Sequence, residues 1–273
     1  MPLARTRELL TTAHPLFAFN VITTEHAEAI ATAAEAANAP AILQISENAV
    51  KFHGGNLTPL ATATAAVART STAQLALHLD HIESEELLHA AAAHDFSSVM
   101  FDASRLPYAD NVKATAEAVR WAHRRDITLE AELGRIGGKP GDAHTPGIRT
   151  DPTEAARYAA ETGVDALAVA VGSSHAMTDR TATLDHTLIA RLREAVPVPL
   201  VLHGSSGVPD AELRRAIAAG IRKVNVGTAL NKAYTGAVRA FLEAHPSTVD
   251  PRKYLAPARE AMASAVAAYL RLN

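Results

Sequence analysis

Short apolar runs alternate with longer, alanine-rich stretches of helical period along nearly the whole chain. Runs that are apolar at consecutive positions read as strands buried on both faces of a parallel sheet. They cover residues 17–21, 41–46, 75–80, 98–102, 128–134, 166–172, 199–203 and 223–227. After each comes a stretch whose apolar residues recur three and four apart, which predicts helices over 25–38, 57–69, 85–94, 109–124, 152–161, 184–194, 210–219 and 229–243. A repeated β-then-α order predicts a parallel sheet covered by helices. Eight such units in 273 residues fit one (β/α)8 barrel of the TIM class, for which about 250 residues is typical. A last helix, 256–270, packs outside. No Pro/Ser-rich linker or charge block divides the repeat, so residues 1–273 are expected to form a single domain.

In such a barrel the polar residues at the carboxyl ends of strands belong to the functional face. Reading only those ends selects Asn20, Ser46, Asp80, His81, Asp102, Glu132, His175, His203, Asn225 and Thr228. A lone histidine at a strand end is more often structural than a ligand. Here His81, His175 and His203 close three separate strands, with carboxylates on intervening ones, and can converge on one metal. The other histidines lack that placement, and His78 is expected inside the barrel or at its helix interface. Three turns rich in glycine and hydroxyls, at Gly172-Ser173-Ser174, Gly204-Ser205-Ser206-Gly207 and Asn225-Val226-Gly227-Thr228, can bring backbone N–H groups onto an anion. Any one of them could be only a tight βα turn. The last two follow strands seven and eight, where barrels of this kind hold phosphate.

Composition narrows the chemistry. With no cysteine, zinc would have to be held by histidine and carboxylate, and disulfides are excluded. A net charge of −3 without a basic patch disfavours nucleic acid. No apolar run is long enough to span a membrane, and the opening Met1-Pro2-Leu3-Ala4-Arg5 lacks a signal-peptide core, so a cytoplasmic protein is expected. The strands carry almost no lysine; Lys223, at the start of strand eight, is expected at the face opposite the histidines.

With those residues in view the chain resembles the class II, metal-dependent ketose-bisphosphate aldolases. The likeness runs through Phe19-Asn20-Val21, Leu77-His78-Leu79-Asp80-His81, Phe96-Ser97-Ser98-Val99-Met100-Phe101-Asp102-Ala103-Ser104, Glu130-Ala131-Glu132-Leu133-Gly134, the His203 and Asn225 turns, and Asp250-Pro251-Arg252-Lys253-Tyr254-Leu255. The resemblance implies zinc on His81, His175 and His203, with Glu132 and Asp102 near a second or alternative cation position. It implies Asp80 as the proton-transfer carboxylate and Asn225 beside the enediolate. Gly204, Ser206, Gly227 and Thr228 would surround the dihydroxyacetone phosphate end, with Ser205 and Gly172 in the same turns. Arg252 would meet the second phosphate, unless Asp250-Pro251 is only a surface helix cap, and Ser46 would approach the aldehyde half. The implied partner is a small phosphorylated ketose, most simply fructose 1,6-bisphosphate; tagatose 1,6-bisphosphate and a deoxy-keto-gluconate phosphate are alternatives, as is a silent sugar-phosphate binder. A homo-oligomer, dimer or tetramer, is also implied.

The chain departs from the family at three points. Ile82-Glu83 follows His81 where glycine is common, and Ala176-Met177 follows His175 where glycine is again common. After Gly137-Gly138 the usual acidic pair is replaced by Lys139-Pro140-Gly141-Asp142-Ala143-His144. The base of that loop is assigned to Asp142, with His144 as the alternative.

Overall fold

The computed structural model describes residues 3–12, 14–133 and 148–272. In chain order they form α1 (Thr6–Leu10), β1 (Leu16–Asn20), α2 (Thr24–Ala37), β2 (Ala41–Ser46), α3 (Glu47–Phe52), α4 (Leu57–Thr70), β3 (Leu75–Ile82) and α5 (Glu85–Ala90). Next come β4 (Ser98–Phe101), α6 (Tyr108–His123), β5 (Thr128–Glu132), α7 (Pro152–Thr162), β6 (Ala166–Ala168), α8 (His186–Ala195), β7 (Leu200–Leu202) and α9 (Asp210–Ala219). The chain ends with β8 (Ile221–Val226), α10 (Thr228–Ala244) and α11 (Pro251–Leu270).

The eight strands pair in sequence order, all parallel, and β8 closes on β1, so the expected (β/α)8 barrel is the observed fold. Leucine, valine and alanine at the outward positions pack under the helices, and strands such as Leu75–Leu79 are buried throughout. No helix among the described residues is long and apolar enough to cross a membrane.

Several elements differ from the sequence reading, each for a local reason. The run 166–172 pairs only over Ala166–Ala168. Beyond it the chain leaves the ladder, although Val169 N–H still donates to Val201 O at 3.2 Å, because the apolar pattern continues into the wall of the functional face. Helix α5 stops at Ala90, where a 3₁₀ turn over Ala91–Ala93 takes over. Two short helices carry too few residues to show a period. One is α1, whose Thr6 hydroxyl hydrogen-bonds Ser98 Oγ (2.7 Å) at the amino end of the barrel. The other is α3, capped by Ser46 Oγ accepting from Ala49 N–H (3.2 Å). Helix α11 begins at Pro251, earlier than read, because Asp250 caps it and proline suits a first turn whose own N–H groups lack helical partners. It packs between α2 and α10 and sets Tyr269 against Phe17, ring centroids 6.1 Å apart.

The barrel interior is not uniformly apolar. Met100, Ala166, Ala168, Ala170 and Val201 form a small apolar cluster. Gln44, His78, Glu130 and Lys223 are buried and polar. Lys223 is therefore not at the far face. Its side chain is fully buried, with Nζ 2.7 Å from Glu130 Oε2. The strand starts two residues earlier than read, at Ile221, so Lys223 lies within β8 and its inward side chain is enclosed by the barrel. His78 also points inward, with Nδ1 2.7 Å from Ser98 Oγ.

Candidate active site

Successive strand residues face opposite sides of a sheet, so Asp80 and His81 could not both reach the same pocket from a regular β3. The structure solves this with a bulge. Leu79 pairs with Val99 and Ile82 with Phe101, leaving two residues of β3 opposite one of β4. His81 takes φ +51°, a left-handed conformation uncommon outside glycine, asparagine and aspartate, and both side chains line one pocket at the carboxyl end of the barrel. Ala176 likewise has φ +58°, a conformation that glycine adopts more readily than a residue with a Cβ.

His81, His175 and His203 come together as the sequence predicts, and Glu132 joins them. One donor atom from each of the four lies within 4.8 Å of every other. Asp102 is not part of this cluster. Its Oδ2 is 2.9 Å from His81 Nδ1 and its Oδ1 accepts from the Ser104 hydroxyl at 2.6 Å, which places it directly behind the His81 ring. On the other side His203 Nε2 is 2.9 Å from Glu130 Oε1. Carboxylates only accept, so those two ring nitrogens carry the protons. The remaining nitrogens, His81 Nε2 and His203 Nδ1, then turn lone pairs toward each other at 2.9 Å. Such a contact is favourable with a metal ion, or a shared proton, between the two nitrogens. Imidazoles and a carboxylate are donor types that suit zinc, and three of the four would leave a tetrahedral position open for a substrate oxygen.

Asp80 is buried beside the cluster, its Oδ2 3.9 Å from His81 Nε2. Gln44 Nε2 bridges it to Asn20, donating to Asp80 Oδ2 (2.9 Å) and to Asn20 Oδ1 (2.8 Å). Burial works to raise the Asp80 carboxyl's pKa, but the His81, His78 and His203 rings outweigh it and hold the group ionised well below the usual carboxylate range. Glu130 is treated the same way: burial raises it, while Lys223 and His203 pull it down further than burial pushes. Asn225 places its side-chain amide 3.1 Å from His203 Nε2. Neither Gln44 nor Glu130 was singled out from sequence. The signal for Glu130 was present in Glu130-Ala131-Glu132, because residues two apart on a strand share its inner face.

Gly204, Ser206, Gly227 and Thr228 line the same pocket, with Asn20, Ser46, His175 and Asn225. Gly227 caps α10, a 17-residue helix whose amino end favours negative charge. Gly172 and Ser205 do not line the pocket. The Ser205 hydroxyl is wholly buried and donates to Asn225 O, which ties the two turns together. At Gly172, with φ +124°, a Cβ would meet Thr183 O at 2.4 Å, so that glycine permits a close backbone approach. Gly204, with φ +65°, is similarly committed: a Cβ there would lie 2.5 Å from the Ser174 backbone. Gly204→Ala is expected to cost on the order of 1–3 kcal/mol, read as a lowered thermal midpoint of the metal-free protein. An unchanged midpoint would show that the turn relaxes freely.

Arg252 is not brought to the pocket. Its side chain is 89% exposed and folded onto Asp250, with Nη2 2.8 Å from Oδ2. The sequence showed the residue but not that its own cap would hold it. The lining cations among the described residues are Lys51 and Arg105. Asp142, with Gly134, Gly137, Gly138, Gly141 and His144, lies outside the described residues.

The barrel and the imidazole–carboxylate cluster at its carboxyl end have the form of an enzyme site that could hold a metal ion. Residues 5–273 match the family model of class II fructose-bisphosphate aldolase, and the chain belongs to that family. It is 38% identical to the fructose-bisphosphate aldolase of Geobacillus stearothermophilus over 255 residues, 93% of this chain and 89% of the relative. It is 39% identical over 277 aligned positions to a Bacillus subtilis protein described as a probable fructose-bisphosphate aldolase, covering 99% of this chain and 97% of the relative. The crystal structure of the YdjI aldolase from Escherichia coli K12 superposes with a TM-score of 0.84 at 31% identity, covering 99% of this chain and 97% of that one.

Proposed function

We propose that the protein is a zinc-dependent aldolase that reversibly cleaves a ketose 1,6-bisphosphate, fructose 1,6-bisphosphate in the first instance, into dihydroxyacetone phosphate and an aldehyde phosphate. The observation that carries this reading is the ionised, buried Asp80 within 3.9 Å of a three-histidine, one-carboxylate cluster. A divalent ion held there supplies Lewis-acid polarisation of the C2 carbonyl, so that the charge left at C3 by C3–C4 cleavage can be accommodated. The chain's own residues supply the rest. Asp80 takes the C4 hydroxyl proton as the bond breaks and returns it to the aldehyde in the reverse direction. Gln44, fixed between Asp80 and Asn20, keeps that carboxylate aimed. The Asn225 side-chain amide hydrogen-bonds a substrate hydroxyl, and the Gly204–Ser206 and Gly227–Thr228 turns cradle the C1 phosphate at the amino end of α10. The base for the C3 proton is assigned to Asp142 on its sequence position.

The exposure of Arg252 favours a second reading, in which the substrate is a different phosphorylated ketose. Lys51 is held by Glu47 (2.7 Å) and Arg105 lies 3.6 Å from Glu83, so the described cations on that wall are already met by carboxylates. A panel of phosphorylated ketoses, assayed with zinc-loaded protein, separates the two. Under the first reading fructose 1,6-bisphosphate gives the highest kcat/KM. A ketose monophosphate preferred by tenfold or more would establish the second. Arg252→Ala is expected to change KM for the bisphosphate less than twofold; a large rise would bring Arg252 back to the distal phosphate.

A further inference from the structure

Beneath the donor cluster the barrel is filled by charge, where layers of branched apolar side chains are the rule. Glu130 and Lys223 are both buried and paired at 2.7 Å. Glu130 divides its oxygens: Oε2 faces Lys223 Nζ, while Oε1 faces His203 Nε2 at 2.9 Å. Lys223 Nζ is also 3.4 Å from His78 Nε2, which lies 3.6 Å from Asp80 Oδ1. Neither residue is among the four metal donors or the pocket lining. Stability does not account for them, since replacing a buried ion pair by packed apolar side chains is often neutral or stabilising.

We propose that the buried Glu130–Lys223 pair is a positioning device for His203, fixing the tautomer and rotation that present His203 Nδ1 to the metal. The inference rests on the metal centre of the proposed function. An imidazole has two nitrogens and, when neutral, one proton. Glu130 accepts at Nε2 and so leaves the lone pair on Nδ1, 2.9 Å from His81 Nε2. Lys223 satisfies the second carboxylate oxygen and prevents an unpaired buried charge. Asp102 performs the matching task for His81 from the pocket side, whereas the Glu130 support comes from inside the barrel and has to bring its own counter-ion. Partners of this kind typically alter metal affinity 10- to 100-fold.

The test compares two double variants, each removing both charges together. E130L/K223M deletes the acceptor; E130Q/K223M keeps a neutral one in nearly the same shape. Zinc affinity is measured by competition with a chromophoric chelator, the metal-free thermal midpoint by calorimetry, and the His203 tautomer by long-range ¹H–¹⁵N spectra assigned with His203→Gln. The expected result is that E130L/K223M melts, metal-free, at or above the parent temperature, yet binds zinc at least tenfold more weakly and loses the Nε2–H signature. E130Q/K223M should recover most of the affinity. Zinc binding by E130L/K223M within twofold of the parent, or equal loss in both variants, overturns the inference. If E130L/K223M does not fold, the unmodified metal-free protein decides: His203 must be in the Nε2–H form, and an Nδ1–H form overturns it. A parent that binds no zinc overturns the metal reading itself, which is a separate outcome.

Discussion

Stripped of divalent metal by chelation, the protein is expected to lose all measurable ketose phosphate cleavage and to recover it on addition of stoichiometric zinc. C3–C4 cleavage leaves an electron pair that needs a sink, and the chain offers two candidate sinks of different kinds. One is the His81, Glu132, His175 and His203 cluster. The other is an amine able to form a Schiff base; among the described residues Lys51 lines the pocket but is paired with Glu47 at 2.7 Å, and the lysine of the barrel interior is Lys223. That amine is fully buried and engaged with Glu130 at 2.7 Å, so a carbonyl cannot reach it without breaking an ion pair beneath the pocket. Borohydride added with substrate should therefore trap no covalent adduct, which mass spectrometry of the intact chain would read directly. Activity surviving thorough metal removal, or a trapped adduct on Lys223, would sink the metal assignment.

Asp80→Ala is expected to lower kcat by at least about two orders of magnitude, the usual range for a positioned acid or base, while zinc content stays near stoichiometric. The carboxylate is ionised, 3.9 Å from a ligand nitrogen, and hydrogen-bonded to Gln44, so it is preorganised to accept a proton without being a metal donor. Asp80→Asn keeps the shape and the contact with Gln44 but cannot take the proton, and should be nearly as impaired. His203→Ala should lose metal as well as turnover. The separation of the two phenotypes is the informative part: near-normal turnover in Asp80→Ala would assign C4 proton transfer elsewhere, and metal loss in that variant would make Asp80 a structural neighbour of the site.

The sequence announced the barrel because buried parallel strands and amphipathic helices leave different periods, and eight repeats of the pair admit few architectures. It announced the three histidines for the same reason: they stand where apolar runs stop. What it hid depended on orientation and on partners. Glu130 looked like an ordinary strand residue until its inward register put it against both His203 and Lys223. Lys223 reads as the first residue of its strand, whereas β8 begins at Ile221 and carries the lysine inward from its third position. Asp102 is near the histidine cluster as read, but its hydrogen bond to His81 depends on a side-chain orientation that the sequence does not display. Arg252 shows the limit from another side, since a turn that both caps a helix and carries a cation reads the same whether the guanidinium faces substrate or its own aspartate.

The bulge in β3 bears on how such a site could be moved to another scaffold. A designer who copied the Asp-His dipeptide onto the end of an idealised strand would point one side chain at substrate and bury the other under the helices. The portable unit is the two-against-one step between Leu79 and Ile82 together with the left-handed backbone at His81. A β-branched residue would resist that backbone and asparagine would accept it, so a library built around a transplanted centre should vary the neighbours of the bulge before it varies the ligands.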